Sequence, residues 1–107
     1  MATIVNLPSR GQPWSANEHA ILGQIHDVFG SEGIGTDCEH GITDEGDPWT
    51  AFFESKNGEF VAHVARIGLA YLFIWADGTS VCAPSLQRFL VVARRGSGRA
   101  LQARAAP

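Results

Sequence analysis

The stretch that decides the fold runs from residue 49 to residue 76 and reads WTAFFESKNGEFVAHVARIGLAYLFIWA. It contains three runs rich in apolar residues, over 49–55, 59–67 and 69–76, and such runs are typical of β-strands. Asn57-Gly58 separates the first two runs, and this dipeptide is the strongest short signal for a hairpin. Gly68 allows a second tight turn before the third run. The stretch therefore predicts an antiparallel meander, in which consecutive strands pair with each other.

A helix is predicted ahead of this sheet, over residues 16–29. Ser15 and Glu18 form a capping box, in which each side chain can accept a hydrogen bond from the backbone amide of the other residue. Behind the cap, apolar side chains recur at helical spacing and form one stripe: Ile21, Leu22, Ile25, Val28 and Phe29. Gly30 is predicted to end the helix, because glycine is favoured just beyond helix C-termini.

Further elements are predicted on both sides of these two segments. Residues 34–40 are a candidate strand, Asp77-Gly78 marks a turn, and residues 80–83 form a short additional strand. After Pro84, Ser85 is predicted to cap a second helix with the apolar stripe Leu86, Phe89, Leu90 and Ala93. The sequence therefore predicts an α+β fold: an N-terminal helix, a three- to four-stranded antiparallel meander and a C-terminal helix packed on one face.

The chain has 107 residues, of which 45% are hydrophobic, and this composition predicts one folded domain rather than disorder. We expect a flexible N-terminal arm over 1–13, a single α+β domain over 14–96 and a basic, frayed C-terminal tail over 97–107. No apolar run approaches the roughly 18 residues of a membrane helix, so no membrane contact is predicted. The two cysteines make no disulfide framework, and without a signal-peptide pattern the predicted location is cytoplasmic.

Charge is distributed unevenly along the chain. Residues 1–79 hold all eleven acidic residues and three basic ones, whereas residues 80–107 hold five arginines and no acid. These arginines are Arg88, Arg94, Arg95, Arg99 and Arg104. They are interpreted as a solvated tail, or else as a surface for an acidic partner such as nucleic acid or the acidic body of the chain itself.

The segment from Asp37 to Asp47 concentrates five carboxylates, one thiol and one imidazole in eleven residues. One interpretation is a site for Mg²⁺ or another divalent ion, with Asp37, His40 and Asp47 as candidate ligands. The spacing matches neither an EF-hand loop nor a zinc finger. The other interpretation is a solvated loop in which aspartates form turns, and in that case no cofactor is expected.

A second set of residues suggests nuclease chemistry. Asp47 followed by Glu54-Ser55-Lys56 resembles the acidic and lysine motif of PD-(D/E)XK nucleases, in which two carboxylates bind Mg²⁺. In another alignment Asp47, His63 and Arg66 occupy the corresponding places, but His63 and Arg66 are not the residues that the motif requires. The alternative for His63 is a half-buried strand residue with a satisfied hydrogen bond.

The residues over 41–68 also resemble a known family. The string TDEGDPW, the pair Phe52-Phe53, Gly58-Glu59 and the string AHVARIG are similar to an uncharacterised alphaproteobacterial-type domain with a TDEGDPWxxF…HxAR signature. The resemblance covers residues 14–76 approximately. It implies an order of elements and no activity, because that domain has no settled function.

Taken together, these patterns favour a small non-enzymatic binding or regulatory module that acts through protein–protein contacts. Its predicted surface comprises Asp44, Glu45, Asp47 and Trp49 with the exposed face of the sheet. The alternative function is a PD-(D/E)XK-like metal-dependent nuclease, or an inactive remnant that binds DNA, with Asp47, His63 and Arg66 at its site. The partner is not identified by the sequence, and a homodimer is one option.

Overall fold

The computed structural model describes residues 13–94. Its elements are helix α1 (Ala16–Ser31), strands β1 (Thr36–Ile42), β2 (Pro48–Glu54), β3 (Phe60–Ile67), β4 (Ala70–Trp75) and β5 (Ser80–Ala83), and a 3-10 turn (Leu86–Arg88). The turn leads directly into helix α2 over residues 89–94. The predicted flexible arm (except residue 13) and the predicted frayed tail lie outside the described residues.

The five strands form one antiparallel sheet in the order β1-β2-β3-β4-β5. The predicted α+β class and meander are confirmed, but the predicted count of three to four strands is wrong. The candidate strand over 34–40 is present as β1, two residues further along the chain, and it pairs with β2 along its whole length, from Thr36 opposite Glu54 to Ile42 opposite Pro48. Its sequence is mostly polar, but an edge strand can form without many apolar residues when its neighbour supplies the backbone hydrogen bonds.

The capping box at the start of α1 is confirmed. Ser15 Oγ accepts a hydrogen bond from the Glu18 amide at 3.1 Å, and the Ser15 amide donates to Glu18 Oε1 at 2.8 Å. The prediction that Gly30 ends the helix is wrong, since α1 continues to Ser31 and Glu32 is the C-cap. Gly33, with a φ of 93°, makes the turn instead, because a left-handed conformation favours glycine.

The hydrophobic core lies between the two helices and one face of the sheet. The Phe29 ring of α1 contacts the rings of Phe52 and Trp75 edge-on, at centroid distances of 5.2 and 5.8 Å. The Phe89 ring of α2 lies 5.3 Å from the Phe73 ring. The predicted stripe of the second helix is confirmed, since Leu86, Phe89 and Ala93 belong to the core and Leu90 packs against it. The predicted Ser85 cap is not, because its side chain makes no capping hydrogen bond. We call this side of the sheet the helix face and the opposite side the open face.

Strand alternation assigns the side chains to these two faces. Thr50, Phe52, Val64, Phe73 and Trp75 lie on the helix face, as their contacts with the core show. A bulge between Phe52 and Phe53 interrupts the register of β2 with β3, and it brings Val61 into the core as well. Within residues 13–94, no helix is long and apolar enough to cross a membrane.

Candidate functional site

The open face of the sheet carries two rows of side chains across the strands. The register places one row at Gly41, Trp49, Ala65, Leu72 and Cys82, and the next at Glu39, Ala51, His63, Ile74 and Ser80. An antiparallel sheet with one solvated face normally carries polar side chains there. Here most of the central positions are apolar. Ala51 and Ala65 are buried beneath their neighbours, at 4% and 8% exposure, although they lie outside the main core.

Trp49 is the second residue of β2, near the hairpin end of the open face, and its indole lies over Gly41 of β1. A Cβ atom at Gly41 would come within 2.2 Å of Trp49 Cζ2, so the indole occupies the space that a side chain at position 41 would need. The indole also stacks on the His63 imidazole, with ring centroids 5.5 Å apart and planes inclined by 25°. Both rings are half-buried. Gly41 is therefore required by the position of Trp49 rather than by backbone conformation.

The predicted acidic surface lies at one end of the open face, in the hairpin between β1 and β2. The Thr43 amide donates to the Asp47 carbonyl at 2.9 Å, and the Asp47 amide donates to Thr43 Oγ1 at 3.0 Å. Asp44 and Glu45 are exposed at the tip, whereas Asp47 is half-buried. On β1, Asp37 and Glu39 share the open face with Trp49, because they alternate with the core-facing residues.

The three candidate metal ligands are not brought together. Asp37 belongs to the open face, His40 belongs to the helix face, and Asp47 lies beyond the hairpin turn. His40 Nδ1 is 2.6 Å from the Thr50 hydroxyl instead. Within the part of the chain that the structure describes, no group of three or more His, Cys, Asp and Glu side chains could hold a metal ion.

The residues of the nuclease alternative are also separated. His63 lies on the open face, whereas Arg66 lies on the helix face and pairs with Glu18 of α1. Asp47 directly precedes β2 and Glu54 ends it, so the two lie seven residues apart, which corresponds to roughly 23 Å along a strand. Lys56 is exposed in the following loop. This arrangement does not converge on one point where a phosphate and a metal ion could both bind.

Sequence reasoning missed a buried polar cluster around Glu18. One carboxylate oxygen accepts from Arg66 Nη1 at 2.7 Å, and the other accepts from the Tyr71 hydroxyl at 2.7 Å. Burial raises the pKa of Glu18, but hydrogen bonds from Ser15, Tyr71 and Arg66 and the Arg66 charge outweigh burial, so the pKa lies below its ordinary value. Burial and the contact with Glu18 raise the pKa of Tyr71 to about 12. The capping box already explained Glu18, so nothing in the sequence signalled these distant partners.

A second missed feature is a small pocket beside the N-terminus of α1. The buried Thr50 hydroxyl accepts from Trp14 Nε1 at 2.8 Å and lies next to the His40 ring, which contacts the His19 ring edge-on at 5.3 Å. We call the adjoining 280 Å³ space the α1–β1 pocket; it is lined by Pro13, Trp14, His19, His40, Gly41, Ile42 and Pro48. Most of its lining is apolar, so it suits a small hydrophobic side chain.

Of the arginines in the basic segment, Arg88 and Arg94 are described and exposed. Arg95, Arg99 and Arg104 lie outside the described residues.

No protein-family model matches the sequence, and no curated protein and no solved structure shows significant similarity to it. The functional argument therefore depends on the geometry of this chain alone.

Acid is expected to destabilise the fold in two stages. Burial lowers the pKa of His63, and burial together with the charge of His19 lowers the pKa of His40 below the ordinary 6.5. The folded state therefore disfavours protonation of these two histidines, and the free energy of unfolding falls as the pH drops below 6.5. Because the pKa of Glu18 is also lowered, a second loss of stability follows below its ordinary pKa of 4.5. Urea midpoints measured from pH 8 to pH 4 check this. In the double variant His40→Gln/His63→Gln, the loss of stability below pH 6.5 should be smaller. An unchanged pH profile of the urea midpoint would contradict the assignment of this loss to the two histidines.

Proposed function

We propose that this protein is a small non-enzymatic binding module that contacts a protein partner through the open face of its sheet. The observation that carries the proposal is the apolar part of that face, where the Trp49 and His63 rings stack on each other and are half-buried with no described element over them. Covering such a surface removes apolar area from water, which stabilises a complex by about 25 cal/mol per Å² before the costs of association. Trp is also the residue type most enriched at energetic centres of interfaces.

The charges around the face support a partner with a basic rim. Asp37 and Glu39 lie along its β1 side, and Asp44, Glu45 and Asp47 lie at its hairpin end. Of the described lysine and arginine residues, Arg66 lies on the helix face and Lys56 lies in the β2–β3 loop. Arg88 and Arg94 belong to the 3-10 turn and to α2, which packs on the helix face. Opposite charges at the rim accelerate association and select among partners, while the apolar part of the face supplies affinity. No observation in the described residues favours the nuclease alternative.

The test compares the native chain with Trp49→Ala in affinity capture from source cells, followed by binding measurements with the purified captured protein. We expect Trp49→Ala to weaken the reconstituted complex by roughly thirtyfold, as for a central interface tryptophan. Gly41→Ala should weaken it comparably, because the new methyl group displaces the Trp49 indole. Leu69→Ala is the matched control, since Leu69 is 81% exposed in the β3–β4 turn.

Two results would contradict the proposal. One is a partner that binds Trp49→Ala and the native chain equally well. The other is a partner whose affinity falls as much in the Leu69→Ala control. Sedimentation of the purified protein alone shows whether the partner is a second copy of the chain. In that case the protein self-associates, and Trp49→Ala abolishes the self-association.

A further inference from the structure

The outer edge of β1 presents backbone groups that the sheet does not use. Hydrogen bonds bracket this strand at both ends: Ser55 donates to the Gly35 carbonyl, and Thr43 donates to the Asp47 carbonyl, both at 2.9 Å. Bonded positions alternate in an antiparallel pair, so the backbone groups of residues 37, 39 and 41 also bond to β2. The backbone N–H and C=O groups of Thr36, Cys38, His40 and Ile42 therefore point away from the sheet.

One end of this edge is already occupied by α1. His26 Nε2 lies 2.5 Å from the Thr36 carbonyl oxygen, so the helix covers the start of the strand. From Cys38 to Ile42, no element within residues 13–94 pairs with the outward backbone groups. Ile42 is 52% exposed at the far end. Such an edge is a ready template for another extended chain.

The two sides of the edge offer different chemistry to an added strand. Asp37 and Glu39 project from the open face, where a side chain opposite them would meet a carboxylate. His40 and Ile42 line the 280 Å³ α1–β1 pocket on the helix face, where most of the lining is apolar. Successive side chains of a strand point to opposite faces. An added strand would therefore place every second side chain near a carboxylate and the others toward the pocket.

The same carboxylates disfavour pairing of two copies through this edge. Antiparallel pairing of β1 with a second β1 would bring Asp37 and Glu39 of both copies together on one face, and like charges in such cross-strand positions are destabilising. Acidic side chains on an edge are a recognised device against self-pairing.

We propose that the edge of β1 from Cys38 to Ile42 binds an extended peptide of a protein partner as a sixth strand. The peptide alternates basic residues, which face Asp37 and Glu39, with small apolar residues, which face the α1–β1 pocket. In strand addition, backbone hydrogen bonds supply affinity, and pockets for alternate side chains supply specificity. This surface is the edge of the sheet, so the proposal does not depend on what covers the open face.

The probe is an eight-residue peptide of alternating arginine and valine. Amide hydrogen exchange of the isotope-labelled protein is measured by NMR with and without this peptide. We expect the peptide to slow exchange at the Cys38, His40 and Ile42 amides. The Ser80 and Cys82 amides, which point outward on the opposite edge by the same alternation, should be unaffected. Binding without protection of the β1 amides would overturn strand addition, and so would protection that grows with protein concentration in the absence of peptide.

Two variants separate backbone pairing from charge attraction. Cys38→Pro removes an outward N–H without removing a bond to β2, and we expect it to weaken peptide binding about tenfold relative to Cys38→Ala. Glu39→Lys should weaken binding and reduce its dependence on salt. If Cys38→Pro fails to fold, a peptide N-methylated at alternate residues makes the same comparison on the native protein. Equal affinity of the methylated and unmethylated peptides would overturn the proposal.

Discussion

Replacing Arg66 with methionine is expected to lower the free energy of unfolding by about 3–5 kcal/mol, because it removes one partner of a buried ion pair. Arg66 is 5% exposed and Glu18 is 8% exposed, and Arg66 Nη1 lies 2.7 Å from Glu18 Oε1. The substitution leaves the Glu18 carboxylate buried with bonds from only Ser15 and Tyr71. For a domain of this size the loss corresponds to a fall in Tm of roughly 12 °C or more, which calorimetry measures directly.

The double variant Glu18→Leu/Arg66→Met is the control for this prediction. It removes both charges together, so no uncompensated ion is left buried, and its loss should be smaller than that of Arg66→Met alone. The cost of losing the capping interaction of Glu18 remains, at about 1 kcal/mol. If the single and double variants lose the same free energy of unfolding, the Glu18–Arg66 ion pair makes no specific contribution to stability.

Substitution of Phe29 with alanine is expected to cost about 3–5 kcal/mol, measured by urea unfolding. Phe29 has no solvent exposure, and its ring contacts Phe52 of β2 and Trp75 of β4 edge-on. Removing the ring leaves a cavity where α1 crosses the sheet, and the surrounding aromatic rings cannot collapse freely into it. The unfolding midpoint should fall with little change in slope.

The matched controls for Phe29 keep part of the ring's volume or lie outside the core. Phe29→Leu should recover part of the loss, since it fills much of the space. Val91→Ala, at a position that is 53% exposed on α2, should change stability by less than about 0.5 kcal/mol. A small effect of Phe29→Ala would mean that α1 does not pack through this ring.

Local signals were sufficient for most of the elements, because each depends on residues that are close in sequence. The Ser15–Glu18 capping box placed the start of α1, and Gly58 and Gly68, with φ values of 75° and 63°, lie in the predicted turns. The candidate strand over 34–40 was placed two residues too early, since the bounds of β1 are set by its pairing with β2 rather than by its own polar sequence. The site was predicted only in part. Trp49 is on the open face, but the space that its indole needs at Gly41 can be recognised only from the pairing of β1 with β2.

The sequence by itself determined the order of elements, the antiparallel meander and the two alternating sets of side chains on each strand. It could not determine which set faces the helices. On β3 the helix face carries Ala62, Val64 and the charged Arg66, whereas the open face carries His63 and Ala65. Arg66 can be buried only because α1 places the Glu18 carboxylate beside it, and these residues are 48 positions apart. Only the tertiary structure brings such partners together, since the free energy of burying a charge depends on its neighbours in space.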